Sequence, residues 1–230
     1  MEITPIAYFR SPFGTKFGIP RQAGLVEGLR GRIVFEPGFR SAEAIRGLEG
    51  FDYIWLVWGF SENPRSSFKA TVRPPRLGGN ERVGVFASRS PFRPNSLGLS
   101  SVRLDSIDLD AKGPDGKPVG PVLEVLGADL MDGTPIYDIK PYVEYSDSHP
   151  GVRSGFVDSR SWESLEVVFP EGCANPGIDL DVLSSVLELD PRPGYHDDPD
   201  KTYGMTFEGF DIRFKVEGKT LFVTGIEKKS

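Results

Sequence analysis

Short β-prone runs closed off by glycine and proline are the feature that most limits what this chain can become. Its 230 residues include 27 glycines and 20 prolines, together about a fifth of the chain against an average nearer an eighth. Up to residue 145 the pattern reads as strand after strand. Ile33-Val34-Phe35 is a short apolar run, and Phe51 to Phe60 is rich in Tyr, Ile, Trp and Val and reads as a buried strand. Val83 to Phe86 is another run, and Leu97 to Leu109 mixes apolar residues with Ser and Asp in near alternation. Pro114-Asp115-Gly116-Lys117 signals a hairpin turn with Val119 to Leu126 as its returning strand, and Asp132-Gly133 marks a further turn. The one expected helix in this half is Phe39 to Leu48, with Ser41 ahead of Ala42-Glu43-Ala44-Ile45. So many strands and so few helices argue for a mainly β domain and against a doubly wound parallel sheet.

The pattern changes after a polar, irregular stretch from Ser146 to Ser161, read as a linker or surface excursion. Asp181 is expected to open a helix with Val182, Val186 and Leu189 on one face. Phe210, Ile212, Phe214 and Val216 alternate with Asp211, Arg213, Lys215 and Glu217, the signature of a half-buried strand. Glu217-Gly218 then turns the chain into a second strand, Thr220 to Ile226. The expectation is a β-domain over residues 1–150 and a small α+β domain over 151–230.

Composition narrows the chemistry. The longest apolar stretch, Ile54 to Phe60, falls far short of the roughly 18 residues a membrane helix needs. MEITPIAYFR lacks the basic start and apolar core of a secretory signal. Cys173 is the only cysteine and His149 and His196 the only histidines. Internal disulfides and Cys-rich metal sites are therefore excluded, no metal is expected, and a cytoplasmic location is the default. Net charge is −6. Between Arg65 and Arg103, however, eight basic residues face a single acid, Glu81. Such a block is either a local anion-binding surface or a set of ordinary solvated arginines.

No G-x-G-x-x-G after a strand, no G-x-x-x-x-G-K-[ST] and no G-x-S-x-G is present. Three other stretches stand out. Thr71-Val-Arg-Pro-Pro-Arg-Leu-Gly-Gly79 stiffens a loop with two prolines and projects Arg73 and Arg76. Phe86 to Gly98 sets Arg89, Arg93 and Asn95 in a proline-punctuated loop after a strand. It is either a ligand wall or a turn in which Asn95 bonds its own backbone. In Asp129 to Tyr142, Asp138 and Lys140 stand two apart and share a strand face, with Tyr142 next if the strand passes Pro141. An acid, a cation and an aromatic in line suit base binding and proton transfer; the alternative is an exposed ion pair on an edge strand.

These stretches, in order and at this spacing, resemble the TsaA-like (UPF0066) family of S-adenosylmethionine-dependent tRNA methyltransferases. That family acts on N6-threonylcarbamoyladenosine at position 37. The matching pieces are SPFGTKFGIPRQ (Ser11 to Gln22), TVRPPRLGG (Thr71 to Gly79), VFASRSPFRPNSLGLS (Val85 to Ser100), DGTPIYDIKPY (Asp132 to Tyr142) and DPRPGY (Asp190 to Tyr195). The resemblance implies a β-barrel-like domain that binds S-adenosylmethionine without a Rossmann sheet or a knot. It also implies a smaller C-terminal domain, a homodimer, and the tRNA anticodon loop as partner. Carried over position by position, the donor contacts are Pro20, Arg21, Gln22, Ser61, Glu62, Arg89, Leu99, Leu126, Gly127, Ala128 and Asp129. The family often has His where this chain has Ser61.

The reaction needs a base, because the attacking nitrogen must shed its proton. The candidates are Asp138 directly, or Tyr142 made more acidic by Lys140. Tyr142 is also a candidate to stack on the target base. Arg73, Arg76, Arg93 and Asn95 are the candidates for RNA contact. DPRPGY, with Arg192 and Tyr195, either touches RNA or braces the C-terminal domain. Two other functions fit the same residues: a non-catalytic S-adenosylmethionine- or RNA-binding module, and a methyltransferase for another RNA or a small molecule.

Overall fold

Alternating burial along each strand builds the first unit. The computed structural model describes residues 2–61, 68–74, 81–159, 164–172, 177–192, 198 and 200–229. Twelve strands run through them: β1 (Ala7–Arg10), β2 (Arg30–Phe35), β3 (Tyr53–Gly59), β4 (Thr71–Val72), β5 (Val83–Gly84), β6 (Leu97–Asp108), β7 (Val122–Leu126), β8 (Pro135–Pro141), β9 (Glu166–Val168), β10 (Tyr203–Phe207), β11 (Phe210–Glu217) and β12 (Thr220–Lys228). Two α-helices are described, α1 (Glu144–Asp147) and α2 (Leu180–Glu188).

Six of the strands close into an antiparallel barrel in the order β1-β2-β7-β6-β3-β8. Closure leaves no unpaired edge. Phe9, Ile33, Ile54, Leu56, Leu123 and Ile136 point inward and are essentially inaccessible to solvent. Each contributes about 1.5–3 kcal/mol by leaving water. The run read as a buried strand alternates instead: Ile54, Leu56 and Trp58 face the core while Tyr53, Trp55 and Val57 face out. Its apolar residues serve two faces, so composition hid the period of two.

Cα packing divides the chain into two units. The barrel unit is 1–11, 21–67 and 94–148; the second is 12–20, 68–93 and 149–230. The second unit thus draws in two segments from the N-terminal half. It holds a sheet in the order β10-β11-β12-β9, with β9 parallel to β12. Phe207, Ile212 and Phe214 are buried in it. From segment 12–20, Phe13 meets Phe207 edge-on at 5.5 Å and Phe17 stacks over Phe214 at 6.4 Å. A two-residue ribbon, β4 paired with β5, belongs to segment 68–93.

Several local expectations need correction. Phe39 to Leu48 is not an α-helix but lies within separate 3-10 turns at Pro37–Phe39, Ala42–Ile45 and Leu48–Gly50. Gly47, at φ +87°, interrupts any continuous ladder. Val83 to Phe86 is strand only at Val83–Gly84, after which a 3-10 turn begins. The stretch read as a linker starts within α1, which ends at Asp147, and contains a 3-10 turn at Gly155–Val157. Helix α2 is capped by Asp179, whose carboxylate accepts from the N–H groups of Asp181 and Val182. Its buried residues are Leu183, Val186 and Leu187 rather than Val182 and Leu189.

Candidate functional site

In an antiparallel barrel successive connections emerge at alternate ends. Here the β1–β2, β3–β6 and β7–β8 connections share one end, and the β2–β3 and β6–β7 connections share the other. The donor candidates Pro20, Arg21, Gln22, Ser61, Arg89, Gly127, Ala128 and Asp129 all lie on the first three connections, and Leu126 ends the strand that enters the last of them. Topology therefore gathers Arg21, Gln22, Ser61 and Leu126 to Asp129 to one end of the barrel unit, whereas Pro20 and Arg89 belong to the second unit.

Two of these connections are stitched together. The Gly24 N–H donates to the Gly127 carbonyl at 2.8 Å, and the Gly127 N–H donates to Leu29 at 2.9 Å. The Ser11 N–H donates to the Asp132 carboxylate at 3.1 Å. Arg21 and Gln22 are half-buried beside this seam, with the Arg21 Nη1 atom shut off from solvent. Gly127 and Ala128 are buried, and Leu126 and Asp129 are half-buried. A third link reaches into the barrel: the Ser100 hydroxyl donates to Asp129 Oδ1 at 2.6 Å.

The outer wall of β6-β3-β8 carries the second group. Val57 pairs with Leu99 on one side and Asp138 on the other, so a donor candidate and the base candidate stand in one cross-strand row. A register shift in the β3–β8 pairing between Val57 and Trp58 turns both Asp138 and Lys140 outward. Lys140 Nζ meets Asp138 Oδ2 at 2.9 Å, both side chains being about half-exposed or more. The other carboxylate oxygen accepts from the Ile139 N–H at 3.0 Å. The lysine thus serves Asp138. Tyr142 lies beyond the strand, which stops at Pro141, and packs against Tyr53 and Trp55 with ring centroids 6.1 and 5.7 Å away. That is the far end of β3, about 20 Å along the strand from its Gly59 end. Tyr142 is consequently not gathered with the donor candidates within this barrel. Nor do Leu99 and Asp129 share a face: the Leu99 side chain is on the outer wall, and Ser100, which holds Asp129, points inward.

The arginine candidates divide. Arg73 and Arg89 are exposed. Arg93 folds back on its own loop, its Nη1 donating to the Ser88 carbonyl at 2.7 Å, and its guanidinium lies 6.0 Å from the Phe86 ring centroid. Asn95 is an exposed turn residue. Arg192 forms a two-pronged pair with Asp190, both bonds 2.9 Å, and its side chain is 11% exposed. Its fork is committed to Asp190. Glu62, Arg76 and Tyr195 lie outside the described residues. Among the described residues no group of three or more His, Cys, Asp or Glu is placed to hold a metal, and no helix is long and apolar enough to cross a membrane.

Sequence reasoning passed over Ser100 and Trp58. A serine at an inward register position, between inward Gly98 and Val102, was the available signal.

Residues 8–148 match the sequence profile of the tRNA-methyltransferase O N-terminal domain, and residues 174–229 match that of the TrmO C-terminal domain. The chain belongs to the tRNA-methyltransferase O family. It is 34% identical over 238 residues to the tRNA (adenine(37)-N6)-methyltransferase of Escherichia coli, covering 99% of this chain and 98% of that one. A Pseudomonas aeruginosa relative named as a candidate S-adenosylmethionine-dependent methyltransferase, RcsF, is 35% identical over 93% of this chain and 91% of its own. The crystal structure of TrmO from Pseudomonas aeruginosa superposes with a TM-score of 0.79 at 30% identity, covering 99% of this chain and 97% of that one. The TrmO family assignment makes this chain an enzyme, a tRNA adenine-N6 methyltransferase built on a barrel.

Proposed function

We propose that the enzyme transfers a methyl group from S-adenosylmethionine to N6 of N6-threonylcarbamoyladenosine at position 37 of tRNA. The observation that carries this reading is the end-to-end similarity to the Escherichia coli tRNA (adenine(37)-N6)-methyltransferase, which takes in both domains. The gathering of donor candidates at one barrel end supports it. So does the chemistry of those residues. A zwitterionic nucleoside needs a cation for its carboxylate, which Arg21 or Arg89 supplies, and acceptors for its ammonium and ribose hydroxyls, which Asp129 and the 126–128 carbonyls supply. Arg21 is half-buried, on the connection that leaves β1 for β2.

S-adenosylmethionine supplies an electrophilic methyl group on a sulfonium. The chain's residues orient the partners and manage one proton. The target nitrogen is bonded to both a purine and a carbonyl carbon, so its lone pair is delocalised and its proton has to leave around the moment of attack. Asp138 is the proposed acceptor: the nitrogen–methyl bond forms, the sulfur–methyl bond breaks, and the proton moves to the carboxylate. Lys140 and the Ile139 N–H hold that carboxylate in place. Exposed Arg73 and Arg89 are the cations proposed to meet the anticodon-loop phosphates and the donor. The family resemblance further supports a homodimer working in the cytoplasm.

The test is methyl transfer with labelled S-adenosylmethionine to two tRNAs, one bearing the threonylcarbamoyl group and one with plain adenosine at position 37. Label is expected in the modified nucleoside of the first. No transfer above background to that tRNA would refute the function. Equal transfer to both would refute the threonylcarbamoyl requirement and favour a broader RNA methyltransferase.

A further inference from the structure

Inside the barrel, two hydrogen bonds run in series from an indole to a serine to an aspartate. We propose that Trp58 and Ser100 are positioning residues that set the Asp129 carboxylate to receive the methyl donor. This rests on the reading that Asp129 contacts that donor.

The direction of the chain is forced by chemistry. An indole N–H only donates. Trp58 Nε1 lies 3.0 Å from Ser100 Oγ, so the serine oxygen accepts there. Its single proton then goes to Asp129 Oδ1, 2.6 Å away, a short bond of the kind made to a charged acceptor. A serine hydroxyl is ordinarily free to rotate; this one is locked by the indole. Fixing one carboxylate oxygen fixes the plane of the group, and with it the direction in which the second oxygen presents its lone pairs.

The indole is locked in turn. Trp58 is 8% exposed and Ser100 4%. The Phe60 ring packs edge-on against Trp58 at 4.4 Å. Gly98, its cross-strand partner, leaves the space the indole fills: a Cβ there would fall 2.3 Å from Trp58 Cε2.

The cost of this arrangement argues for a purpose. Ser100 and Thr134 are the buried polar residues among those described. Thr134 closes its own turn by donating to the Met131 carbonyl at 2.7 Å. Ser100 does no such local work, and its hydroxyl bonds to two side chains, Trp58 and Asp129. A barrel interior is served as well or better by an apolar pair of matching shape, since replacing both partners of a buried hydrogen bond is close to neutral. What an apolar pair cannot do is aim a carboxylate at the end of the barrel where the donor candidates gather.

The experiment measures S-adenosylmethionine binding by calorimetry for the full chain and for Ser100→Ala, Trp58→Phe, Asp129→Asn and Ser100→Ala/Asp129→Asn. Ser100→Ala is expected to raise Kd about ten-fold, and Trp58→Phe about three-fold because the serine can still donate. In the Asp129→Asn background, Ser100→Ala is expected to cost less than about two-fold more. A general loosening of the barrel would not produce that non-additivity. If Asp129→Asn weakens binding while Ser100→Ala and Trp58→Phe do not, or if the losses simply multiply, the relay is refuted and the Asp129 contact stands. If Asp129→Asn leaves Kd unchanged, the contact itself is wrong and the relay falls with it. Should Ser100→Ala fail to fold, Trp58→Phe decides alone, and an unchanged Kd there overturns the proposal.

Discussion

Gly98→Ala is expected to destabilise the barrel by much more than an ordinary surface substitution. The added methyl carbon would sit 2.3, 2.4 and 2.6 Å from three indole carbons of Trp58, whereas relaxed carbon contacts lie at about 3.5–4.0 Å. The indole would have to retreat by about 1 Å. It is already packed by Phe60 and hydrogen-bonded to Ser100 at 3.0 Å, so retreat strains the first contact and stretches the second. Overpacking costs about 1–3 kcal/mol, and a stranded indole N–H about 1–3 kcal/mol, for a total of about 2–5 kcal/mol. Urea unfolding followed by tryptophan fluorescence measures this. Gly50→Ala is the matched control, because nothing lies within 4 Å of a Cβ there; it is expected to change stability by less than about 0.5 kcal/mol. Gly98→Ala within about 0.5 kcal/mol of the parent would refute the argument that Gly98 exists to seat the indole.

Three further outcomes are expected. Asp138→Asn should lower kcat about 10²–10⁴-fold in the methyl-transfer assay while leaving donor Kd within about two-fold, and equal loss of both would assign Asp138 to donor binding instead. Arg192→Ala should lower stability by about 2–3 kcal/mol through loss of the two-pronged pair with Asp190. Its tRNA affinity should keep the parental salt dependence, and a shallower salt slope would return Arg192 to the RNA surface. Glu208→Asn should stabilise the second unit. Glu208 and Gly209 form a two-residue hairpin loop with φ +50° and +78°, a conformation Asn-Gly adopts at about 1 kcal/mol less strain. Burial, reinforced by Asp179, also holds the Glu208 carboxyl above its ordinary value. The folded state therefore keeps that proton longer, and stability falls as pH rises from the ordinary carboxylate range through the raised one. The gain from Asn should accordingly be larger at pH 7 than at pH 4 in thermal melts, and a gain that shrinks as pH rises would contradict this sign.

Where a segment's structure follows from its own residues, the sequence was a good guide. The alternation in Phe210–Glu217 and the turn at Asp132-Gly133 are both present in the fold. The failures have physical causes. In Tyr53–Gly59 apolar residues line both faces, so the period of two was invisible. Phe39 to Leu48 has helix-forming residues but is cut by Gly47 in a left-handed conformation. Asp179 and Asp181 are both able to cap α2, and only backbone geometry chooses between them. Among the site candidates, most of the donor positions fall on three connections at one barrel end, whereas Tyr142, which the motif sets beside Asp138, lies past the end of β8. The end of β8 at Pro141 and the length of β3 separate Tyr142 from the Gly59 end.

Several strands, the main turns and family membership were readable from residue order, because hydrophobic period, turn chemistry and motif spacing are local properties. Barrel closure is not local. It depends on pairings such as Val57 with both Leu99 and Asp138, and no short window of sequence specifies them. Closure brings the Ser100 hydroxyl to Asp129 across 29 residues and sets three connections at one end. The pair of Arg192 with Asp190, by contrast, is local: the two stand two residues apart in the chain.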